Sequence, residues 1–218
     1  MEVAGIGVKL NKIYSKNTLI TNLFGFGYST LITIAPMFLV ILAVLLMQYF
    51  LGFSKIGYAS RELYSCTVLY IFIFGLLTAS PFNAVLSKYM SDIIYLDKYS
   101  DIMPCYYVGL SLNTIFSSIF GIPFCIHEYV VGKVDPVFVF MGYCGYMALM
   151  VTFYSMLYLS ICKVYNIISG FFLVGMTVTV VLSLVLVYLF GVDVTYSMLA
   201  SLDVGFVIIA ALEYALVK

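Results

Sequence analysis

Hydrophobic residues occur in six long runs along the chain, and short polar or charged stretches separate these runs. A helix needs about 20 apolar residues, at about 1.5 Å of rise per residue, to cross the hydrocarbon core of a bilayer. Each run is long enough, so the pattern predicts an all-α, polytopic membrane protein with six transmembrane helices in a single unit, residues 1–218. The predicted spans are residues 19–52, 63–86, 103–126, 137–162, 167–190 and 196–217.

Composition supports a membrane protein and argues against several other classes. Hydrophobic residues make up 64% of the chain, charged residues only 9%, and the mean hydropathy is +1.14. A soluble domain carries about 25% charged residues, so this chain lacks the polar residues to cover a soluble surface. The formal net charge is zero, which argues against nucleic acid as a partner.

A basic segment at residues 3–16 precedes the first run. Its apolar residues recur at helical spacing, and Lys9, Lys12 and Lys16 fall on a neighbouring face. This pattern is typical of an interfacial helix that contacts anionic lipids, and the same lysines are candidate contacts for a partner protein. The alternative is a flexible basic tail that only fixes topology.

Two prolines lie inside predicted spans. The first run is 34 residues long with Pro36 near its middle, and Pro81 lies in the last third of the second run. A straight helix of that length would measure roughly 50 Å against a hydrocarbon core of about 30 Å. We therefore predict that the first helix is bent or broken near Pro36 and extends beyond the bilayer, and that Pro81 marks a second bend.

The most charged part of the chain, here called the joint, connects the second and third runs. It contains five of the chain's 20 charged residues within 14 positions. Two interpretations of Lys88 and Asp92 are open, because residues four apart on a helix can form an ion pair or can together line a cytoplasmic vestibule. The five residues are Lys88, Asp92, Asp97, Lys98 and Asp101.

Uncharged polar residues at membrane depth supply further candidates. Asn83 and Asn113 are the deepest of them, and Asn113, Ser117 and Gly121 recur every fourth residue in the third run. Such a stripe favours close helix packing or forms the wall of a cavity. At the start of the fourth run, Asp135 precedes a proline and is predicted to cap the helix.

The last run carries two acidic residues, Asp203 and Glu213, which lie ten positions apart. Acidic groups inside a membrane are costly and usually face a cavity or a partner, so Asp203, which precedes the apolar stretch GFVIIAAL, is a candidate for the transport path. The alternative places Asp203 one or two turns below the surface, where its carboxylate would reach water. Glu213 lies near the end of the run and is too far along one helix to pair with Asp203.

The distribution of basic residues predicts orientation. An N-terminus inside the cell places seven of the ten Lys and Arg residues on the cytoplasmic side and three outside, so both termini are predicted to be cytoplasmic. The seven are Lys9, Lys12, Lys16, Lys88, Lys98, Lys163 and Lys218, and the three are Lys55, Arg61 and Lys133.

The sequence contains few of the residue patterns that are typical of enzymes. The cysteine count is odd at five, no CxxC occurs, and His127 is the single histidine, so neither a disulfide framework nor a zinc site is predicted. No GxxxxGK phosphate-binding loop occurs. We therefore predict no catalytic residue, no metal and no cofactor.

Four segments resemble one known family. AGIGVKLNKIY, FGFGYSTLITIAPMFLVI, SPFNAVLSKYMSDIIYLDKYSDIMP and YLSICKVYNIISGFFLVG stand in this order, and together they resemble the PelG family of exopolysaccharide transporters. That family belongs to the multidrug/oligosaccharidyl-lipid/polysaccharide flippase superfamily. The resemblance implies two six-helix lobes of the MATE type facing each other across a central cavity, and this chain would form the first lobe.

The resemblance also implies a function and partners. The protein would move the Pel polysaccharide, an amino-sugar polymer of biofilm matrix, across the inner membrane. It would work beside a cytoplasmic glycosyltransferase and other membrane Pel proteins. Because members of the family are about twice this length, we expect a second lobe or a homodimer partner to complete the path.

Two other functions are open at this stage. One is a non-transporting membrane subunit that docks a polysaccharide synthase through the basic segment at 3–16 and the joint. The other is a multidrug antiporter of the same superfamily, for which Asp203 is the candidate for an ion-coupled carboxylate.

Overall fold

The structure is a computed structural model that describes residues 19–96, 101–161 and 165–217. Helices account for nearly all of these residues, and the described ranges contain no strand, which confirms the all-α class. Five of the helices, α2 to α6, are long and apolar enough to cross a membrane, and the stretch Ile34–Phe50 of α1 is a shorter apolar helix. The six helices are α1 (Leu19–Phe50), α2 (Tyr58–Tyr95), α3 (Ile102–Val130), α4 (Pro136–Ile161), α5 (Tyr165–Tyr188) and α6 (Val194–Val217), with a short 3-10 turn at Phe53–Lys55.

The interior of the bundle is formed by α4 and α6. Helix α4 packs against α2, α3 and α6, whereas α6 packs against α4 and α5, and α1 lies at the edge beside α5. The rings of Phe138 on α4 and Tyr196 on α6 meet edge to face with centroids 5.4 Å apart. At the edge, the Tyr188 hydroxyl of α5 donates a hydrogen bond of 2.9 Å to the Phe50 carbonyl of α1. The order of neighbours is therefore α3 and α2, then α4, α6, α5 and α1.

The N-terminus of α4 is capped as its sequence predicts. The Asp135 carboxylate accepts hydrogen bonds from the backbone N–H groups of Val137, at 2.8 Å, and Phe138, at 3.3 Å. The intervening residue is a proline, whose missing N–H is not needed at this position. Asp193 does the same before α6, where it accepts from the Thr195 N–H at 2.9 Å. These caps fix where both central helices begin.

The helices α1 and α2 continue through their prolines. Pro36 lies within α1 and Pro81 within α2, and neither helix ends there. The break suggested at Pro36 is therefore wrong, whereas a bend at either proline stays a prediction. Helix α2 also runs to Tyr95, more than two turns beyond the hydrophobic run that ends at residue 86. The first half of the joint is thus part of α2, and the limits of the membrane within each helix stay predictions.

The outer face of α3 is apolar and exposed. Its bulky aliphatic side chains recur at spacings of three, four or seven residues and are each more than half exposed. An apolar face of this kind requires lipid or another apolar protein surface as its neighbour. The residues are Val108, Leu112, Ile115, Ile119 and Ile126.

Candidate functional site

A large opening lies between the end of α2 and the start of α3. It is a cavity of about 600 Å³ whose walls include Phe82 and Tyr89 from α2, Asp101 before α3, and Tyr154 from α4. Aromatic and aliphatic side chains form most of its lining. By the predicted orientation, this opening lies at the cytoplasmic end of the bundle, beside the joint.

The charged residues of the joint lie beside this cavity rather than in its wall. Lys88 and Asp92 are both exposed on the last turns of α2, and neither lines the cavity. Their spacing allows an ion pair, but they do not form one. The ion pair found within the described ranges joins His127 and Glu128 instead. Tyr89, which lies between them, turns into the cavity instead. A role for Lys88 and Asp92 in a vestibule stays a prediction.

The predicted partner contacts of the basic segment at 3–16 fall outside the described residues. The same is true of Asp97 and Lys98 in the second half of the joint. The roles of Lys9, Lys12 and Lys16 stay predictions.

The polar stripe of α3 packs against α4. Gly121 lies so close to the Tyr146 and Tyr143 rings that an added Cβ would be 2.8 Å and 3.0 Å from them. The Tyr146 hydroxyl donates to the Ser117 carbonyl oxygen at 3.1 Å and lies 3.3 Å from the Thr78 hydroxyl of α2. Of the two interpretations of this stripe, the structure therefore supports helix packing, because small residues allow α3 and α4 to approach closely.

Each of the two asparagines has one side-chain polar atom without a hydrogen-bond partner among the described residues. Asn113 is fully buried, and its Oδ1 accepts a hydrogen bond of 3.4 Å from Ser117, but its Nδ2 has no partner among the described residues. Asn83 is half-buried, and its Oδ1 likewise lacks a partner there. A buried polar atom without a hydrogen bond costs about 1–3 kcal/mol. Asn113 is thus enclosed by packing, and its contact with a substrate stays a prediction.

Asp203 lies near the middle of α6, nine residues after the helix begins at Val194. Its side chain is only 8% exposed, and its Oδ1 has no hydrogen-bond partner within the described part of the chain. The carboxylate occupies space left by Gly145 of α4, where a Cβ would overlap Oδ1. The carboxylate therefore lies below the surface of the described helices, and its depth in the membrane stays a prediction.

A second unpartnered group lies near Asp203. Tyr64 of α2 is fully buried, its hydroxyl has no hydrogen-bond partner among the described residues, and it interacts electrostatically with Asp203. An acid and a phenol are thus both buried and interact electrostatically, and neither the Tyr64 hydroxyl nor Oδ1 has a hydrogen bond within the described part of the chain. This is the first of two polar sites on α6.

Glu213, which was not among the predicted site residues, forms the second site. Its side chain is fully buried, and both carboxyl oxygens lack a partner within the described ranges. A signal for this burial was present in the sequence, because Glu213 continues the spacing of four and three residues that defines the buried face of α6. The earlier members of that face are Leu199, Leu202, Phe206 and Ile209, all fully buried.

Comparison with protein families identifies the chain's relatives. Residues 3–218 match the PelG family, which is described as "Putative exopolysaccharide Exporter (EPS-E)". No curated protein and no solved structure matches the chain. The family match covers the basic segment, all six helices and both polar sites of α6. The chain therefore belongs to the PelG family of exopolysaccharide exporters.

Proposed function

We propose that the chain is one lobe of a flippase that moves the Pel exopolysaccharide across the cytoplasmic (inner) membrane for biofilm matrix. The observation that carries this proposal is the family match over residues 3–218. The six helices and their exposed apolar faces are compatible with such a lobe. In this proposal the chain is a transporter and not an enzyme.

The cavity at the end of α2 is the proposed entry for polymer. The flat faces of tyrosine and phenylalanine rings pack well against the apolar C–H faces of sugar rings, and ligand sites typically combine such apolar walls with a few polar groups. Phe82 and Tyr89 supply rings, and Asp101 supplies a carboxyl group at the rim. By the predicted topology, the polymer made by a cytoplasmic glycosyltransferase would reach this end first.

We propose that a second six-helix unit completes the transport path, either as another segment or as a second copy of this chain. A single lobe would form only one side of the transport path, so the polymer would pass between two lobes. The exposed apolar face of α3 then contacts lipid or the second unit. Lys9, Lys12 and Lys16 are proposed to contact anionic lipids or the other Pel proteins.

Substitutions at the end of α2 test the proposed entry. Tyr89→Ala removes a ring that lines the cavity, whereas Tyr95→Ala removes a ring that is 88% exposed and lies outside it. We expect Tyr89→Ala to reduce polymer export about tenfold, which corresponds to the loss of about 1.4 kcal/mol of binding. Tyr95→Ala is the matched control and is expected to export normally at the same membrane level. Equal export by both variants would remove this cavity from the path.

A further inference from the structure

The fully buried carboxyl group of Glu213 has no basic partner among the described residues. Helices α3, α4, α5 and α6 contain no lysine and no arginine. Both Glu213 oxygens also lack hydrogen-bond partners among the described residues. Burial of an unpaired carboxylate costs many kcal/mol, so such a group takes up a proton or binds a cation instead. Its neutral form is the one that this site accommodates.

A pair of hydroxyl groups joins α3 and α4 near Glu213. Tyr106 of α3 interacts electrostatically with Glu213, and its hydroxyl lies 2.7 Å from the Ser155 hydroxyl of α4. The rings of Tyr154 and Tyr158 surround Tyr106, with centroids 5.5 Å and 4.9 Å away. None of these groups carries a positive charge.

Within the described ranges, the other helices that pack against α6 place no basic side chain in ion-pair or hydrogen-bond contact with Glu213. On α5, residues 167–187 contain no acidic, basic, cysteine or tyrosine residue. The phenol of Tyr64 on α2 lies beside Asp203, ten residues away along α6 and therefore about 15 Å along the axis. Next to Glu213, Tyr214 interacts with Tyr107, a neutral phenol of α3.

We propose that Glu213 is a proton-binding site through which export is coupled to the proton gradient. Its carboxylic acid releases H⁺ to leave a carboxylate, and the carboxylate takes up H⁺ to restore the acid. Within the described residues no group of three His, Cys, Asp or Glu side chains is assembled to hold a metal ion. The Tyr106 hydroxyl already pairs with the Ser155 hydroxyl, so binding of a proton is the change that requires the fewest ligands at Glu213. The coupling, though not the binding of the proton, rests on the proposed function.

Infrared spectroscopy of the purified chain in lipid nanodiscs tests the proton site without any transport assay. A protonated carboxylic acid absorbs at a higher frequency than the amide bands, and an ionised one does not. We expect such a band at neutral pH in the wild-type protein, and we expect Glu213→Gln to remove intensity from it. Glu62→Gln is the matched control, because Glu62 is exposed at the start of α2 and is expected to contribute nothing.

Three results would overturn the proton assignment. One is an identical acid band in the wild type and Glu213→Gln at every pH. Another is the loss of the band when sodium replaces choline in the buffer, which would assign the site to a metal cation. The third is a wild type without any acid band at neutral pH. Titration of the wild type is a further measurement that needs no variant, because the acid band should persist at neutral pH and fall in alkali.

Export in cells then tests the coupling. We expect Glu213→Gln to reduce export driven by a proton gradient about tenfold, the usual order of coupling between linked sites. Glu62→Gln should export normally. An acid band without polymer export by the wild type would leave the proton site in place and contradict the proposed function. Normal export by Glu213→Gln would contradict the coupling and leave the proposed function in place.

Discussion

Gly145→Ala perturbs the close packing around Asp203. The added methyl group would overlap Asp203 Oδ1 and would lie 3.2 Å from both Asp203 Cγ and Ile71 Cδ1. Because the Asp203 and Ile71 side chains are both buried, the carboxyl group has no open space to occupy. Overpacking of this kind typically costs about 1–3 kcal/mol. We expect the free energy of unfolding to fall by that amount relative to a glycine-to-alanine control.

The control is Gly170→Ala on α5, where an added Cβ meets nothing within 4 Å. Both substitutions gain the same helix propensity, about 1 kcal/mol, so this contribution cancels in the comparison. The assay is reversible unfolding in mixed micelles with increasing denaturing detergent. In an Asp203→Ala background the difference should shrink by about 1 kcal/mol or more, as in a double-mutant cycle of contacting residues. Equal stability of Gly145→Ala and Gly170→Ala would refute the packing described around Asp203.

Two further predictions concern the helix contacts that hold the bundle together. Gly205→Ala should destabilise the chain by about 1–3 kcal/mol relative to Gly170→Ala in the same assay. The added methyl group would overlap the Thr179 hydroxyl and lie 3.1 Å from the Gly175 carbonyl oxygen. Equal stability of the two variants would show that α5 and α6 are farther apart. Tyr146→Phe should cost about 1 kcal/mol by loss of the hydrogen bond to Ser117, and unchanged unfolding would contradict that bond.

Much of the fold follows from the hydrophobic pattern. The all-α class follows from the long apolar runs, and the start of α4 follows from Asp135 and the proline after it. The end of α2 does not follow from hydropathy, because hydropathy reports contact with apolar surroundings rather than helix length. The helix continues to Tyr95, since residues 82–95 contain neither proline nor glycine.

The candidate sites were harder to predict. The spacing of Lys88 and Asp92 allows an ion pair, but both side chains extend into exposed positions, where such pairs gain little. The depth of Asp203 depends on where α6 begins and on the space that Gly145 leaves in a different helix. Glu213 was visible only as a member of a periodic buried face, and an acidic residue in such a face is easily assigned to the helix end.

Transport of labelled Pel polymer into inside-out membrane vesicles tests the central claim most directly. In inside-out vesicles the cytoplasmic face is outside, so by the predicted topology the polymer added to the buffer meets the end of α2 that carries the proposed entry. We predict that vesicles containing the chain, together with any second lobe encoded with it, accumulate polymer, and that Tyr89→Ala vesicles accumulate about tenfold less than Tyr95→Ala vesicles. Equal accumulation by vesicles with and without the chain would contradict the account.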